Sequence, residues 1–397
     1  MKILFLVTED WFFWGHRLRI AQTLRGTGIE VLVMTHLSQL RGAMEKEGFR
    51  VVPWRISRGS LNPFRELYAL LQVIAVYRTE KPDLVHHVAL KPILYGGVAA
   101  RLCGRPKSVN AVAGLGHVFT TSSWKMRQLR RLVLASLRWI LKSDNTKTIF
   151  ENYDHQNLLL NGGIVSSHQT LVIRGVGVNT KEFLPHSEPN GLPVVMLAAR
   201  MLWEKGVGEF VTAASLLREQ GVSARFVLVG KPDLDNPTSI PEKQLRAWVE
   251  SGVVEWWGHR NDMPAVLAQS NLVCFPSHGE GLPTILIEAA ACGRAIVCTD
   301  VPGCREVVRH DDNGLLVPVR DAPALARALN TLIINRGLRS RMGARGREIA
   351  VREFAVEFFL AGMMAVYREL LGPRWLNPAS AVPSRSGANS SCLASHE

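Results

Sequence analysis

Short apolar or β-branched runs recur along the chain, separated by longer stretches of helical period. From residue 2 to about 174 the runs are KILFLV, EVLVMT, RVVPW, DLVHH, TKTIFE and TLVIR, with helical spacing between them, as in Phe64 to Tyr77. Strand and helix periods in alternation mean βαβ units and a parallel sheet. The alternation pauses at residues 175–193, GVGVNTKEFLPHSEPNGLP, where Gly, Pro and Asn break any sustained period. It resumes with PVVMLAA, ARFVLVG, VVEWWG, NLVCFPS, RAIVCTD and NGLLVPV, so a second doubly wound α/β layer follows the first. Two such layers imply a cleft between them. Residues 373–397 are rich in Ser, Pro and Ala without apolar period, and a disordered tail is expected there.

Composition narrows the class. A chain of 397 residues with 47% hydrophobic residues can bury large cores and is expected to form two domains. The formal net charge is +13, which favours an anionic partner: a phosphorylated ligand, an anionic membrane surface or nucleic acid. Basic residues spread over both halves fit poorly with one nucleic-acid groove, so no nucleic acid is expected. Six cysteines (Cys103, Cys274, Cys292, Cys298, Cys304, Cys392) show no C-x-x-C pair and no zinc spacing. They read as reduced core thiols of a cytosolic protein. The opening MKILFLV is interrupted by TEDW too soon for a signal-peptide core, and reads as a first buried strand. No apolar run reaches the ~18 residues of a membrane span, so any membrane contact is expected to be peripheral.

The candidate chemistry lies in two strand-to-helix connections. NLVCFPS ends a strand near Ser277, and Pro283 suits the first turn of a helix, so a helix is expected to begin there. Glu288 then lies within the helix, and Glu280 lies in the preceding loop between Gly279 and Gly281, where missing Cβ atoms allow close approach of a ligand. The helix start is an anion site suited to a diphosphate. The alternative is structural: Glu280 caps the helix and Glu288 pairs with a surface arginine. Earlier in the same half, Arg200 ends VVMLAA, and Lys205 and Gly206 precede the next helix. Cations at the carboxyl end of a parallel strand stand where doubly wound sheets bind ligands, and both suit phosphate oxygens.

Other signals carry less. Asp233 and Asp235 have the D-x-D form of a divalent-metal site, but KPDLDNP reads as a turn, and no metal is expected. His86 and His87 close a strand, so at most one faces the cleft. Gly15 and His16, in the first strand-to-helix loop, are the better candidates on the acceptor side. The aromatic run Trp11, Phe12, Phe13, Trp14 is either a lip for an acceptor or packing within its own domain. In the segment 123–143, Met126, Leu129, Val133, Leu137 and Ile140 form an apolar stripe, while Arg127, Arg130, Arg131, Arg138 and Lys142 gather on an adjacent arc. That basic arc is expected to meet an anionic membrane.

Arg200, Lys205 and the E-x7-E pattern of GEGLPTILIEAAACG, followed by VPGCREVV and DNGLLVP, resemble the family-four retaining glycosyltransferases of GT-B fold. The resemblance runs to about residue 370. It implies two Rossmann-like domains facing a cleft: an acceptor-binding domain over 1–175, a linker over 176–192 and a nucleotide-sugar domain over 193–354. A C-terminal helix over 355–372 then returns to the first domain. It also implies that Arg200 and Lys205 hold the donor diphosphate, Glu288 the nucleotide ribose and Glu280 the donor sugar, with Gly279, Gly281, Leu282 and Pro283 completing the donor site. Catalytic roles thus fall to Glu280, Arg200 and Lys205. FFWGHRL, DLVHHVALKP, AVAGLGHVF and VIRGVGVNTKEF look most like members that build bacterial surface polysaccharides, including N-acetylgalactosaminyltransferases acting on lipid-linked diphosphate sugars.

Many relatives carry a histidine where this chain has Ala113; the nearest imidazole here is His117, a further acceptor-side candidate. The function implied is retaining, metal-independent transfer from a UDP-sugar to a lipid-linked glycan precursor at the cytoplasmic face of the membrane, with no cofactor beyond the donor. The rivals are a nucleotide-sugar epimerase on the same fold and an inactive basic binding protein.

Overall fold

A computed structural model describes residues 1–60, 62–104, 106–114 and 124–372. His117, Ser123, the side chain of Met126, and the segment 373–397 with Cys392 lie outside the described residues. Two all-parallel sheets organise the chain. The first holds β1 (Lys2–Glu9), β2 (Glu30–His36), β3 (Arg50–Pro53), β4 (Leu84–Val88), β5 (Lys107–Val112), β6 (Thr146–Phe150) and β7 (Thr170–Val172), in the order β3-β2-β1-β4-β5-β6-β7. The second holds β8 (Val194–Ala198), β9 (Arg225–Val229), β10 (Glu255–Trp256), β11 (Leu272–Phe275), β12 (Ala295–Thr299) and β13 (Gly314–Val317), in the order β10-β9-β8-β11-β12-β13. Strand order therefore reverses between β1 and β4 and again between β8 and β11.

Both faces of each sheet are covered, which is why the strands read as continuous apolar runs. In β1, Ile3, Phe5 and Val7 enter one core and Leu4 and Leu6 another. In β8, Val194 and Met196 enter one core and Val195 and Leu197 the other. Among the described residues, no helix is long and apolar enough to cross a membrane. The five described cysteines are free, all but Cys103 fully buried.

The pattern of apolar runs passed over β5, KSVNAV. Its Ser108 and Asn110 are buried: Asn110 accepts at 2.7 Å from the His87 ring, whose other nitrogen meets the Tyr77 hydroxyl at 2.8 Å. Neither strand histidine faces the cleft, because His86 is equally buried on the opposite face, 2.5 Å from the Tyr367 hydroxyl. A second correction concerns Gly15 and His16. They belong to a short helix, Asp10–His16, rather than a loop. The buried Asp10 carboxylate helps fix this turn to the end of β2, accepting from the Ser38 backbone N–H at 2.6 Å and the Ser38 hydroxyl at 2.7 Å.

The chain crosses between the two layers twice, and the crossings are tied together. Val178 N–H donates to the Phe354 carbonyl at 2.8 Å, and Val356 N–H returns to the Val178 carbonyl at 3.0 Å. Gly177, at φ 70°, permits the approach, since a Cβ would lie 2.6 Å from the Val356 Cα. The last helix, Val356–Leu371, then buries Phe359, Met363, Tyr367 and Leu370 in the core that holds Ile3 and Phe5. Tyr367 is fully buried. Truncating it to Ala is expected to lower stability by about 3 kcal/mol or more, with Tyr367→Phe costing about 1 kcal/mol for the lost hydrogen bond. Urea denaturation checks both, and an Ala variant with the wild-type midpoint would show that this helix does not hold the first sheet.

Candidate active site between the two sheets

In an all-parallel sheet the carboxyl ends share one edge, and a crevice opens where strand order reverses. The second sheet places two connections beside its crevice, one after β8 and one after β11. The first carries Arg200 and a one-turn helix, Trp203–Lys205, closed by Gly206 at φ 73°. A Cβ there would collide with the Pro276 backbone, its carbonyl carbon 2.6 Å away, so glycine is required where the two connections meet. The second runs from Ser277 to Pro283 and feeds the helix Thr284–Ala291, one residue later than the sequence suggests.

These connections exchange charges. Glu280 accepts from Lys205 Nζ at 2.5 Å and from the Ser277 hydroxyl at 2.5 Å, and both charged side chains are largely buried. His278 is anchored by its backbone N–H on the Glu204 carbonyl at 2.9 Å and by its ring on Glu209 at 2.8 Å. Lys205 and Glu280 are thus brought together. Arg200 pairs instead with Asp233, the first residue of the D-x-D turn.

Asp233 also accepts from Arg58 of the first domain at 2.6 Å, and Trp11 lies beneath both guanidiniums, 5.9 Å from Arg58 and 5.8 Å from Arg200. Burial pushes the Asp233 carboxyl up, but the two arginines outweigh it and hold it below the ordinary range. Trp11 is the exposed member of the aromatic run; Phe13 is fully buried in its own domain. His16 stacks on Phe12 at 4.2 Å, with its Nδ1 3.1 Å from the Phe12 carbonyl. Burial, then the charges of Arg17 and Arg200, lowers its pKa to about 4, so its ring is neutral at pH 7. A Cβ on Gly15 or on Gly279 would meet no protein atom.

Sequence reasoning missed the first-domain wall of this site. Glu151 directly follows β6 and reaches the glycine loop: the Leu282 N–H donates to its carboxylate, and a Cβ on Gly281 would press on that carboxylate and lie 2.7 Å from the Ala113 carbonyl. Asn152 donates to the Gly281 carbonyl at 2.6 Å. Burial raises the Glu151 pKa to about 7; Arg17 opposes the rise and Glu280 adds to it. The available signal was position, since Glu151 stands at a strand's carboxyl end. Leu282 points into the second domain's core against Gly175, and Pro283 sets the helix start. Glu288 is partly exposed on the helix, and burial of its carboxyl followed by the charge of Glu182 raises its pKa to about 8.

Glu151 and Glu288 stay protonated in the folded chain up to about 7 and about 8, whereas in the unfolded chain they ionise near about 4.3. The folded state therefore holds more protons across that window. The two carboxyls' own contribution to stability is expected to fall as pH rises from about 5 to 8, by at most about 1.4 kcal/mol per pH unit per group. It is opposed below about 6.5 by His16 and His87, whose burial holds their folded pKa at about 4. Glu288→Gln should remove its share, raising stability at pH 8 relative to wild type while leaving pH 5 nearly unchanged. Denaturant midpoints of both proteins across this range decide it; a difference between variant and wild type that does not grow from pH 5 to pH 8 would contradict the raised Glu288 carboxyl.

The comparisons with known proteins agree with this architecture. Residues 2–145 match the family described as glycosyl transferase 4-like, and residues 192–335 match glycosyl transferases group 1. The chain is 30% identical over 365 residues to the N,N'-diacetylbacillosaminyl-diphospho-undecaprenol alpha-1,3-N-acetylgalactosaminyltransferase of Campylobacter jejuni, covering 89% of this chain and 94% of that protein. It is 24% identical to the UDP-Gal:alpha-D-GlcNAc-diphosphoundecaprenol alpha-1,3-galactosyltransferase of Escherichia coli, covering 68% and 71%. HepE of Anabaena, solved in complex with UDP and glucose, superposes with a TM-score of 0.74 at 18% identity, covering 92% of this chain and 99% of that one, which establishes the two-domain GT-B fold. With both domains matched in order and the relative at 30% aligned over most of its length, the chain belongs to the group 1, 4-like glycosyltransferases.

Proposed function

We propose that this glycosyltransferase moves a sugar from a UDP-sugar to a hydroxyl of a lipid-linked diphosphate glycan in bacterial surface-glycan assembly, with retention of anomeric configuration and without a metal ion. The observation that carries the reading is the Lys205–Glu280 pair, held at the crevice between β8 and β11 beside the first turn of the helix Thr284–Ala291. Two relatives whose names specify diphospho-undecaprenol-linked sugars support the acceptor class.

The first-turn N–H groups and Lys205 receive the donor diphosphate, with Arg200 leaving Asp233 to join them. Glu280 orients the donor sugar, and Glu288 meets the ribose. The bond from the sugar's anomeric carbon to the diphosphate breaks as a bond to the acceptor oxygen forms on the same face. The acceptor's proton passes to the departing phosphate oxygen, yielding UDP. Lys205 and Arg200 stabilise the charge that grows on the leaving group, so no side-chain base and no metal are required. His16, with its lowered pKa, contributes a neutral ring to the acceptor side.

Glu280→Gln and Lys205→Ala are each expected to reduce transfer by about 10²-fold or more in protein shown folded by circular dichroism, while wild-type transfer persists in excess EDTA. Mass spectrometry of products from UDP-sugars and a lipid-diphosphate acceptor measures this. Near wild-type turnover in either variant would remove the residue from the site, and loss in EDTA restored by Mn²⁺ would overturn metal independence.

The basic helix supports a peripheral position at an anionic bilayer. In Trp124–Leu141, Val133, Leu137 and Ile140 are buried, while Arg127, Arg131, Arg138 and the adjoining Lys142 are exposed; Arg130 is partly buried and so leaves the free arc. The same outer face shows Trp124, Leu132 and Trp139, which the sequence pattern did not single out and which suit an interface. At about 1 kcal/mol per basic residue, four give reversible, salt-sensitive docking. Co-sedimentation should therefore favour anionic over neutral liposomes, weaken at high salt and fall at least severalfold in an Arg127→Glu, Arg131→Glu, Arg138→Glu variant. Equal binding to both liposome types would exclude this helix.

A further inference from the structure

The helix Pro63–Glu80 carries apolar side chains on two faces. Ala69, Val73, Ile74 and Tyr77 are buried in the first domain's core. On the outer face Phe64 is 82% exposed, Leu67 54%, Tyr68 48% and Leu71 52%. Their spacing of three, four and seven residues places them on one stripe, about 10 Å long at the helical rise. A contiguous exposed stripe of four large apolar residues marks a surface that meets an apolar partner.

At the amino end of the stripe lies an open recess of about 490 Å³, lined by His36, Arg55, Ile56, Phe64, Arg65 and Tyr68 among others. His36 ends β2, and Arg55 follows β3, so the recess lies on the carboxyl edge that faces the second domain. Among the described residues, the side chains of Arg55 and Arg65 have no hydrogen-bond or ion-pair partner. The one carboxylate on the rim, Glu66, is already held by Lys91 at 3.0 Å and by the Tyr95 hydroxyl. The recess is therefore cationic at its mouth and apolar along its exit. Three residues beyond Arg55, Arg58 reaches Asp233 and, through it, Arg200.

We infer that this recess and stripe hold the anchor of the acceptor: Arg55 and Arg65 take the diphosphate, and the first turns of the apolar chain lie along Phe64, Leu67, Tyr68 and Leu71. An anion site that opens onto an apolar track fits one amphiphile carrying both parts better than a free phosphate, which leaves the stripe uncovered. The assignment rests on the proposed lipid-linked acceptor and adds where its head and tail are held. The helix Leu90–Leu102 packs between this helix and Trp124–Leu141, so the track and the exposed Trp124, Leu132 and Trp139 belong to one helical layer that faces the bilayer in the proposed pose.

The test is calorimetric titration of the full chain with farnesyl diphosphate below its aggregation concentration and with inorganic diphosphate. It uses wild type, an Arg55→Ala, Arg65→Ala variant and a Leu67→Ser, Leu71→Ser variant, all at exposed positions. Wild type is expected to bind farnesyl diphosphate at least tenfold more tightly than inorganic diphosphate. The arginine variant should lose at least tenfold for farnesyl diphosphate. The leucine variant should bring it close to inorganic diphosphate without changing the latter. Equal affinity for the two probes, or unchanged farnesyl diphosphate binding in either variant, overturns the inference. So does a variant that loses anionic-vesicle binding yet keeps farnesyl diphosphate, which would assign the patch to bulk membrane contact. UDP titrated in parallel should bind all three proteins alike; absence of UDP binding in wild type would sink the donor reading, while the farnesyl diphosphate comparison still decides the recess.

Discussion

Parallel strands impose the constraint from which the rest of this molecule follows. Every strand of such a sheet ends on the same edge, and where the order reverses the two neighbouring connections leave in opposite directions. Between β8 and β11 that divergence sets Arg200 and Lys205 on one side of a crevice and Glu280 on the other, without any need for the chain to bend toward a ligand. The first sheet repeats the device between β1 and β4, with Trp11 and His16 in the connection that follows β1. Trp11 beneath Arg58 and Arg200 shows the two edges meeting.

The charges placed there are costly. A buried ion pair regains in attraction little more than it loses in hydration, so the Lys205–Glu280 pair adds little to folding and is better explained by what it is positioned to meet. Glu151 increases that cost, since a second carboxyl raises the energy of a charge on Glu280. Its pKa of about 7 relieves the conflict, because a proton on Glu151 leaves Glu280 as the charged partner of Lys205. Arg17, whose Nε finds no hydrogen-bond partner among the described residues, supplies the opposing positive charge. Carboxyls perturbed by burial and a neighbouring charge collect at functional sites.

What the sequence disclosed follows the same physics. Five strands of the second sheet were legible because burial on both faces turns each into an apolar run, and the short edge strand β10 was legible from its neighbours Val253, Val254 and Trp257. Arg200, Lys205 and the glycine loop were legible because they sit at the ends of the apolar runs. β5 was not, since Asn110 is tolerated in its core only through the ring of His87, a partner 23 residues away. Glu151 and Arg58 escaped for a related reason: each acts across the cleft, on Gly281–Leu282 and on Asp233, and no local spacing encodes a contact between domains. The D-x-D segment has the form of a metal site but was read as a turn, and its ion-pair partners were not legible. In the fold, Asp233 meets two guanidiniums.

That last arrangement bears on how a donor enters. Asp233 and a diphosphate are alternative partners for Arg200, and a diphosphate offers more charge and more acceptor oxygens to a planar guanidinium than one carboxylate does. Under the proposed reading, a donor that takes Arg200 leaves Asp233 with Arg58 alone. Arg58 belongs to the first domain, in the segment between the acceptor-side recess and the cleft. The exchange at one guanidinium therefore changes a contact that spans both domains, and Asp233 becomes the link between donor and acceptor sides.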